Sequence, residues 1–289
     1  MKAIIGVDAG GGYENGVALF KAMAFQNMSP ILVSAVDTTP PIMPFLPESA
    51  AVQADFVAQS QEASKAALQA AAASLGENTP QFLVFGGASP VLIRTAEEQE
   101  ADLLVVHSTV RAGWETLLIG SVSKSLALHS PVSVLVSKGD HAPDEMRVVF
   151  ATDHSEYANR ALEKFLSFGA TGIKSFHLVT AYDLEQAKTQ LLISHLNELS
   201  IDLETFVREK LSEKSASIVE RLRAAGMDAT FSVVAGDVNR VIETTMQEQS
   251  GNLLVVGAQG HGFFERVLTG SVATHQVTHS PYSVLVVRA

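Results

Sequence analysis

The sequence predicts an α/β protein of two tandem units, each a parallel sheet of five strands with helices packed on it. Three observations carry this. Residues 253–256, LLVV, form the kind of uninterrupted apolar run that a parallel strand covered on both faces requires. Such runs alternate along the chain with stretches at helical spacing, which calls for parallel strands joined by right-handed crossovers. Residues 101–137 also align with residues 251–287 at a constant shift of 150 and without a gap. They keep LLVV, Gly120-Ser121-Val122 against Gly270-Ser271-Val272, His129-Ser130-Pro131 against His279-Ser280-Pro281, and SVLV. An internal repeat means two similar units, bounded here as residues 1–138 and 139–289.

Composition narrows the function classes. With 289 residues, 47% of them hydrophobic, both units can bury a core. The formal charge is −11 and acids exceed bases in both halves, so a nucleic-acid backbone would be repelled and no nucleic-acid partner is expected. Cys is absent, which excludes disulfides and thiolate metal sites and fits a reducing compartment. The opening MKAIIGVDAGGG has too few apolar residues before Asp8 for a secretory core, and no apolar run approaches the roughly 18 residues that span a bilayer. The expectation is a cytoplasmic protein with no membrane partner.

In the first unit, residues 3–7 form a strand ending at Asp8, and AGGGYENG leads into a helix over 15–25. Asp8 either caps that helix or stands at the crevice where open α/β sheets bind ligands. Residues 31–36 are the second strand. The prolines of DTTPPIMPFLPES then leave an irregular crossover. Residues 50–75 read as a covering helix with Gly76 at its C-cap. Strands at 82–85, 103–106 and 132–136 follow, with Gly86-Gly87 as a turn and a helix from Pro90 to about residue 100.

SKGDHAPDEM, residues 137–146, is polar and turn-rich and reads as the linker. Residues 147–152 are again a first strand ending at an acid, Asp153, and the recurrence favours a functional carboxylate. Ser155 suits an N-cap for a helix to about residue 168, ended by Gly169 and Gly172. Residues 176–181 and 230–234 are strands. Between them, 184–225 reads as two helical segments broken near 200–202, with Phe206, Leu211, Ile218 and Leu222 as a buried stripe and Gly226 as its end. Gly236-Asp237 reads as a turn plus N-cap.

The stretch 251–287 reads as strand, glycine loop, helix start and strand, a layout suited to phosphate. Gly257 and Gly260 stand where backbone approaches a ligand closely, and Gly270-Ser271 opens a short helix whose free N–H groups and positive dipole end favour an anion. Ser271 either caps that helix or donates its hydroxyl to a phosphate oxygen; Ser280-Pro281 ends it. In the first unit His107 and Val110 replace Gly257 and Gly260, although Gly120-Ser121 is kept. If the loop needs positive φ, each replacement costs on the order of 1–2 kcal/mol, and the side chains fill space that phosphates would use. Two such losses weaken nucleotide binding roughly 30- to 1000-fold, so the first unit is expected to bind nucleotide poorly or not at all. Trp114 reads as a packing residue.

These residues resemble the universal stress protein family in its tandem form. Nucleotide-binding members carry G-x2-G-x9-G-[S/T], and Gly257, Gly260, Gly270 and Ser271 match it in full. Asp153 matches the acid after the first strand, which contacts adenosine. The resemblance implies two five-stranded parallel α/β sandwiches of the adenine nucleotide α-hydrolase-like, Rossmann type, paired through their terminal strands, with a further homodimer left open. It implies bound ATP, with ADP, AMP and an accompanying Mg left open. Adenosine would lie near Asp153 and phosphates along Gly257, Gly260, Gly270, Ser271 and the Val272 backbone. His261 either approaches a phosphate or is a loop-surface residue. The function implied is a stress-response module that binds or signals through nucleotide.

No catalytic residue is assigned. Phosphoryl transfer needs charge neutralisation and a group that positions the nucleophile. The loop offers N–H groups, His261 and Arg266, but no Walker lysine, so slow hydrolysis at most is expected. A rival reading is a kinase of the actin-like superfamily, since IIGVDAGGGYENG resembles its first phosphate loop. That loop continues into a hairpin strand, whereas residues 13–25 read as helix, and the repeat would be unexplained. The third reading is a scaffold or chaperone-like protein with no working nucleotide site.

Overall fold

Apolar runs buried on both faces have to sit inside a sheet, and the computed structural model shows how. It describes residues 1–38, 50–108, 120–139, 143–183, 202–259 and 270–289, without the side chains of 50–53. The expectations at Val110, Trp114, Gly260, His261 and 184–201, and most of the proline crossover, lie outside these residues.

The first half runs β1 Lys2–Gly6, α1 Tyr13–Met23, β2 Ser29–Val36, α2 Ala50–Leu75, β3 Gln81–Phe85, α3 Ala88–Glu98, β4 Leu103–His107, α4 Ser121–His129 and β5 Ser133–Ser137. The second half runs β6 Met146–Ala151, α5 Glu156–Ser167, β7 Ile173–Tyr182, α6 Leu203–Ala224, β8 Ala229–Ala235, α7 Val238–Glu248, β9 Leu253–Gly257, α8 Ser271–His279 and β10 Ser283–Val287. The helix at Tyr13–Met23 occupies the place where an actin-like phosphate loop would turn back as a strand. No helix among the described residues is long and apolar enough to cross a membrane.

The strands form one sheet in the order β3-β2-β1-β4-β5-β10-β9-β6-β7-β8. Pairing within each half is parallel. The halves join where β5 and β10 run antiparallel, with Val136, Leu135 and Val134 opposite Val284, Leu285 and Val286. The terminal strands thereby cover each other's edges, which would otherwise be open to foreign pairing. Side chains alternate between two cores that each extend across both halves. Ile5, Leu103, Leu135, Leu253 and Leu285 face α1, α2, α5 and α6. Ile4, Leu104, Val134, Leu254 and Val284 face α3, α4, α7 and α8.

The residue following each terminal strand crosses to the other half. Lys138 Nζ donates to the carbonyls of Val277 and Ser280, both at 2.7 Å, and of Gln276 at 3.3 Å, at the C-terminal end of α8. Arg288 Nη2 donates to the carbonyls of Ala127 at 3.0 Å and Leu128 at 3.1 Å, at the same end of α4. The backbone N–H groups of Lys138 and Arg288 donate to Ser283 Oγ and Ser133 Oγ, each at 3.1 Å. Orphan carbonyls at helix ends need donors, and a cation there also meets the negative end of the dipole. Lys138 is therefore no linker residue, as its place in a polar run suggests. It is buried, and burial pushes its ammonium down to about 8, which leaves it mainly charged near neutral pH.

A second contact joins 22–27 to 168–172. Gly172 N donates to Met23 O at 3.0 Å, Gln26 N to Gly169 O at 3.0 Å, and Phe25 meets Phe168 edge-on at 6.3 Å. Nearby, Lys164 pairs with Asp102 across the halves at 2.7 Å. Burial works against the Asp102 charge, but hydrogen bonds from Lys164 and the Lys2 N–H outweigh it and hold its pKa below the usual range. Gly172 therefore does more than end a helix. A Cβ there would collide with the Ala22 carbonyl oxygen, so the backbones touch because the residue has no side chain. Gly172→Ala is expected to destabilise the protein by about 1–3 kcal/mol, the usual effect of overpacking. Gly120→Ala, where an added Cβ meets nothing among the described residues within 4 Å, should cost less, about 1 kcal/mol at most for the change at the N-cap of α4. Urea midpoints of the two variants test this, and equal midpoints would contradict it.

Candidate functional site

In the order β8-β7-β6-β9-β10 the chain direction of travel reverses between β6 and β9, and open α/β sheets bind ligands outside the carboxyl ends of strands at such a point. Asp153 follows β6 and Gly257 ends β9, and the pairing of Ala151 with Val256 sets them side by side. A cleft of about 460 Å³ opens there, a size typical of small-molecule sites. Asp153, Gly257, Gly270, Ser271 and Val272 all line it. Five of the seven residues singled out in the sequence therefore meet in one cavity; Gly260 and His261 lie outside the described residues.

Each lining group is set by local chemistry. Asp153 Oδ1 accepts from Ser155 N at 2.9 Å, and Ser155 Oγ accepts from Ala158 N at 3.1 Å, so Ser155 is the N-cap of α5 and Asp153 fixes the turn before it. Gly257 does not have positive φ. The conformational penalty expected for a side chain there is replaced by a spatial one: a Cβ would lie 3.2 Å from Gln259 O and 3.4 Å from Ala161 Cβ. Gly270 is the N-cap of α8, with extended backbone, and its N–H donates to Ala258 O at 2.7 Å. Gly270 holds the N-cap position, so Ser271 is the first helical residue and not the cap; it is exposed and lines the cleft.

His154 pins two walls of the site together. It has φ of 56°, a left-handed conformation uncommon outside glycine, and its N–H donates to Thr152 Oγ1 at 3.0 Å. Its Nε2 lies 3.0 Å from both Ser215 Oγ on α6 and Thr180 Oγ1 on β7. Both hydroxyl residues are buried. Burial, helped by the Lys214 charge and opposed by Asp153, pushes the His154 pKa below its ordinary value.

The first half keeps the frame and a cleft of about 430 Å³ between Asp8 and Asp37, but changes the residues around it. Asp8 Oδ1 accepts from Tyr13 N at 3.0 Å and so tethers the start of α1. A Cβ on Gly12 would stand 2.8 Å from His107 Cδ2 and 3.5 Å from Asp8 Oδ1, so the imidazole that replaces Gly257 lies against the glycine turn. Ala9 takes the place of His154. Ser34, three residues before Asp37 as Thr180 is before Asp183, has its buried Oγ without a hydrogen-bond partner among the described residues.

Comparison with known proteins fits this geometry. The sequence matches the model of the universal stress protein family over residues 1–138 and again over 146–288. The chain belongs to the universal stress protein family. Among relatives, a universal stress protein of Synechocystis is 23% identical over 149 residues, covering 49% of this chain and 97% of its own length. One from Mycobacterium bovis is 25% identical over 208 residues, 68% of this chain and 67% of its own. The crystal structure of a universal stress protein from Archaeoglobus fulgidus superposes with a TM-score of 0.65 at 18% identity, covering 99% of this chain and 98% of that one, a likeness of fold. The universal stress protein fold, tandem and of the adenine nucleotide α-hydrolase-like type, is thus the architecture of this chain.

Sequence reasoning missed part of this universal stress protein's cleft. Asp183 and Tyr182 line it from the end of β7, and Val207 and Leu211 form an apolar wall from α6. The signal for Asp183 was present, because an Asp follows both second strands, SAVD at 34–37 and TAYD at 180–183. The predicted stripe of Phe206, Leu211, Ile218 and Leu222 is buried only at Leu222; Phe206 is exposed, and Ser215 and Val219 are the other buried residues of α6. Asp237 accepts from Arg240 N at 3.0 Å, the N-cap expected. A larger cleft of about 710 Å³ lies between the halves at His129, Arg160 and Arg288, but without the carboxylates and bare backbone of the first. No group of three or more His, Asp or Glu able to hold a metal occurs among the described residues.

His154 and His177 both have pKa values lowered chiefly by burial. His177 bridges Thr230 Oγ1 at 2.8 Å and Ser232 Oγ at 2.9 Å. As pH falls below the ordinary His value of about 6.5, the unfolded chain takes up protons that these buried rings refuse. The contribution of these two rings to stability is therefore expected to fall with acid in that window and to be flat above it. Urea unfolding at pH 7.5 and 5.5 should show a smaller loss in His154→Gln than in wild type; an equal loss would contradict the assignment.

Proposed function

We propose that the second half binds an adenine nucleotide, ATP foremost, as a nucleotide-responsive module, and that the first half does not. The observation that carries this is the meeting of Asp153, Gly257, Gly270, Ser271 and Val272 around one cleft at the sheet's reversal point. Each part suits one moiety. The Asp153 and Asp183 carboxylates accept hydrogen bonds from ribose hydroxyls or an exocyclic amine, and Val207 and Leu211 offer apolar surface to a base. Gly257 offers close backbone approach, and the α8 N-terminus offers N–H groups and positive dipole to phosphate. With a formal charge of −11 the chain as a whole repels a triphosphate, so those local donors have to supply the attraction.

The nucleotide is held rather than consumed in this reading. Among the described residues, the lining of the cleft has no lysine or arginine to neutralise charge developing in phosphoryl transfer. The family resemblance supports ATP over a ligand without phosphate.

Titration calorimetry with ATP tests the reading. Gly257→Val, which adds atoms where a Cβ already crowds, should weaken binding at least about tenfold, and Asp153→Ala about three- to tenfold. His107→Gly should leave the affinity unchanged. Wild-type affinity in Gly257→Val would overturn the proposed placement of phosphate.

A further inference from the structure

We propose that Lys138, a residue of the first half, is a positioning residue for the anion-binding end of α8 in the second half. The half with the altered loop thereby serves the half with the intact one. This rests on the nucleotide reading above and adds to it a residue at the far end of the helix.

The helix that offers Gly270, Ser271 and Val272 to the cleft is only 9 residues long, about 13 Å at 1.5 Å per residue. A helix this short does not hold itself in water and takes its place from tertiary contacts. Its N-terminal end is tied by Gly270 N to Ala258 O at 2.7 Å. Its middle is tied by Gln276, which is fully buried, donates to Asn239 Oδ1 at 3.2 Å and accepts from Tyr282 OH at 2.8 Å. Its C-terminal end is tied by Lys138 Nζ, which donates to three carbonyls and contacts Ser280 Oγ at 3.1 Å. Lys138 is 7% exposed, so solvent screens its charge little.

Two consequences follow for the other end of the helix. The cation offsets the negative pole of the macrodipole, leaving the positive pole at Gly270 to act on an anion without its counterpart. The four contacts also fix the helix along its axis, and with it the distance of the first-turn N–H groups from Gly257. Arg288 makes the mirror contact on α4, whose N-terminal end at Gly120 faces the half in which His107 lies against the glycine turn. The two caps are thus alike in structure and differ in what lies beyond the helix they hold. That difference supplies an internal control.

The test is ATP affinity by calorimetry on the full chain, with urea unfolding in parallel. Lys138→Met should weaken ATP binding about 3- to 30-fold, the range of a cation at a helix end. Lys138→Arg should restore most of it, and Arg288→Met should stay within about twofold of wild type despite a comparable loss of stability. Where Lys138→Met does not fold, Lys138→Gln, which keeps a donor and loses the charge, carries the same expectation. Wild-type affinity in the Lys138 variants, or equal weakening by Arg288→Met, overturns the proposal. If the wild-type chain binds no ATP, the nucleotide reading fails on its own, and amide hydrogen exchange decides the positioning. Exchange at 270–274 should then quicken in the Lys138 variant with 120–124 unchanged, and unaltered exchange at 270–274 overturns it.

Discussion

The antiparallel meeting of β5 and β10 is the contact on which the rest of the molecule depends. Val134, Leu135, Val136, Val284, Leu285 and Val286 are all fully buried there, between two cores that run unbroken from one half to the other. The residue after each strand then reaches across to satisfy carbonyls at a helix end in the other half. Separating the halves would expose two apolar strand edges and leave buried carbonyls and a buried cation without partners, each loss costing about 1–3 kcal/mol or more. The two units therefore share one sheet and one pair of cores.

On this shared frame the halves have diverged at a few positions around the sheet's two reversal points. His107 stands where Gly257 stands and lies against Gly12, and Ala9 stands where His154 bridges Thr180 and Ser215. Ser34 keeps a buried hydroxyl with no partner among the described residues, a cost the second half avoids through His154. These changes lie toward the carboxyl ends of the strands and in the turns that follow them, so the first half retains its packing value while its cleft changes character. Its cross-half contributions, Lys138, Asp102 and the backbone at Ala22 to Phe25, remain.

Strand and helix positions were legible in the sequence to within a few residues because their signals are local: apolar runs of four, Pro and Gly at turns, and Ser or Asp at caps. The candidate site was legible through the recurrence of Asp after a first strand and of glycines after a fourth. What was not legible depends on a partner far away in the chain. Gly172 reads as a helix stop until Ala22 is seen against it, and Lys138 reads as linker until the end of α8 is seen around it. Leu211 reads as core because spacing alone does not distinguish a side chain that faces a strand from one that faces a cleft. Gly257 reads as a place of close approach to a ligand, with positive φ as one candidate reason; its φ is not positive, and what the fold shows is the limited room left by Gln259 and Ala161.

The central claim is a single working nucleotide site, in the second half of a molecule whose first half has become its support. Adenine nucleotide bound per chain at saturation, measured by equilibrium dialysis with labelled ATP, tests this most directly. A value of about one, abolished with Gly257→Val, is the result expected. A value of about two would mean that the first half binds nucleotide as well, and a value of zero would leave the cleft at Asp153 without the ligand proposed for it.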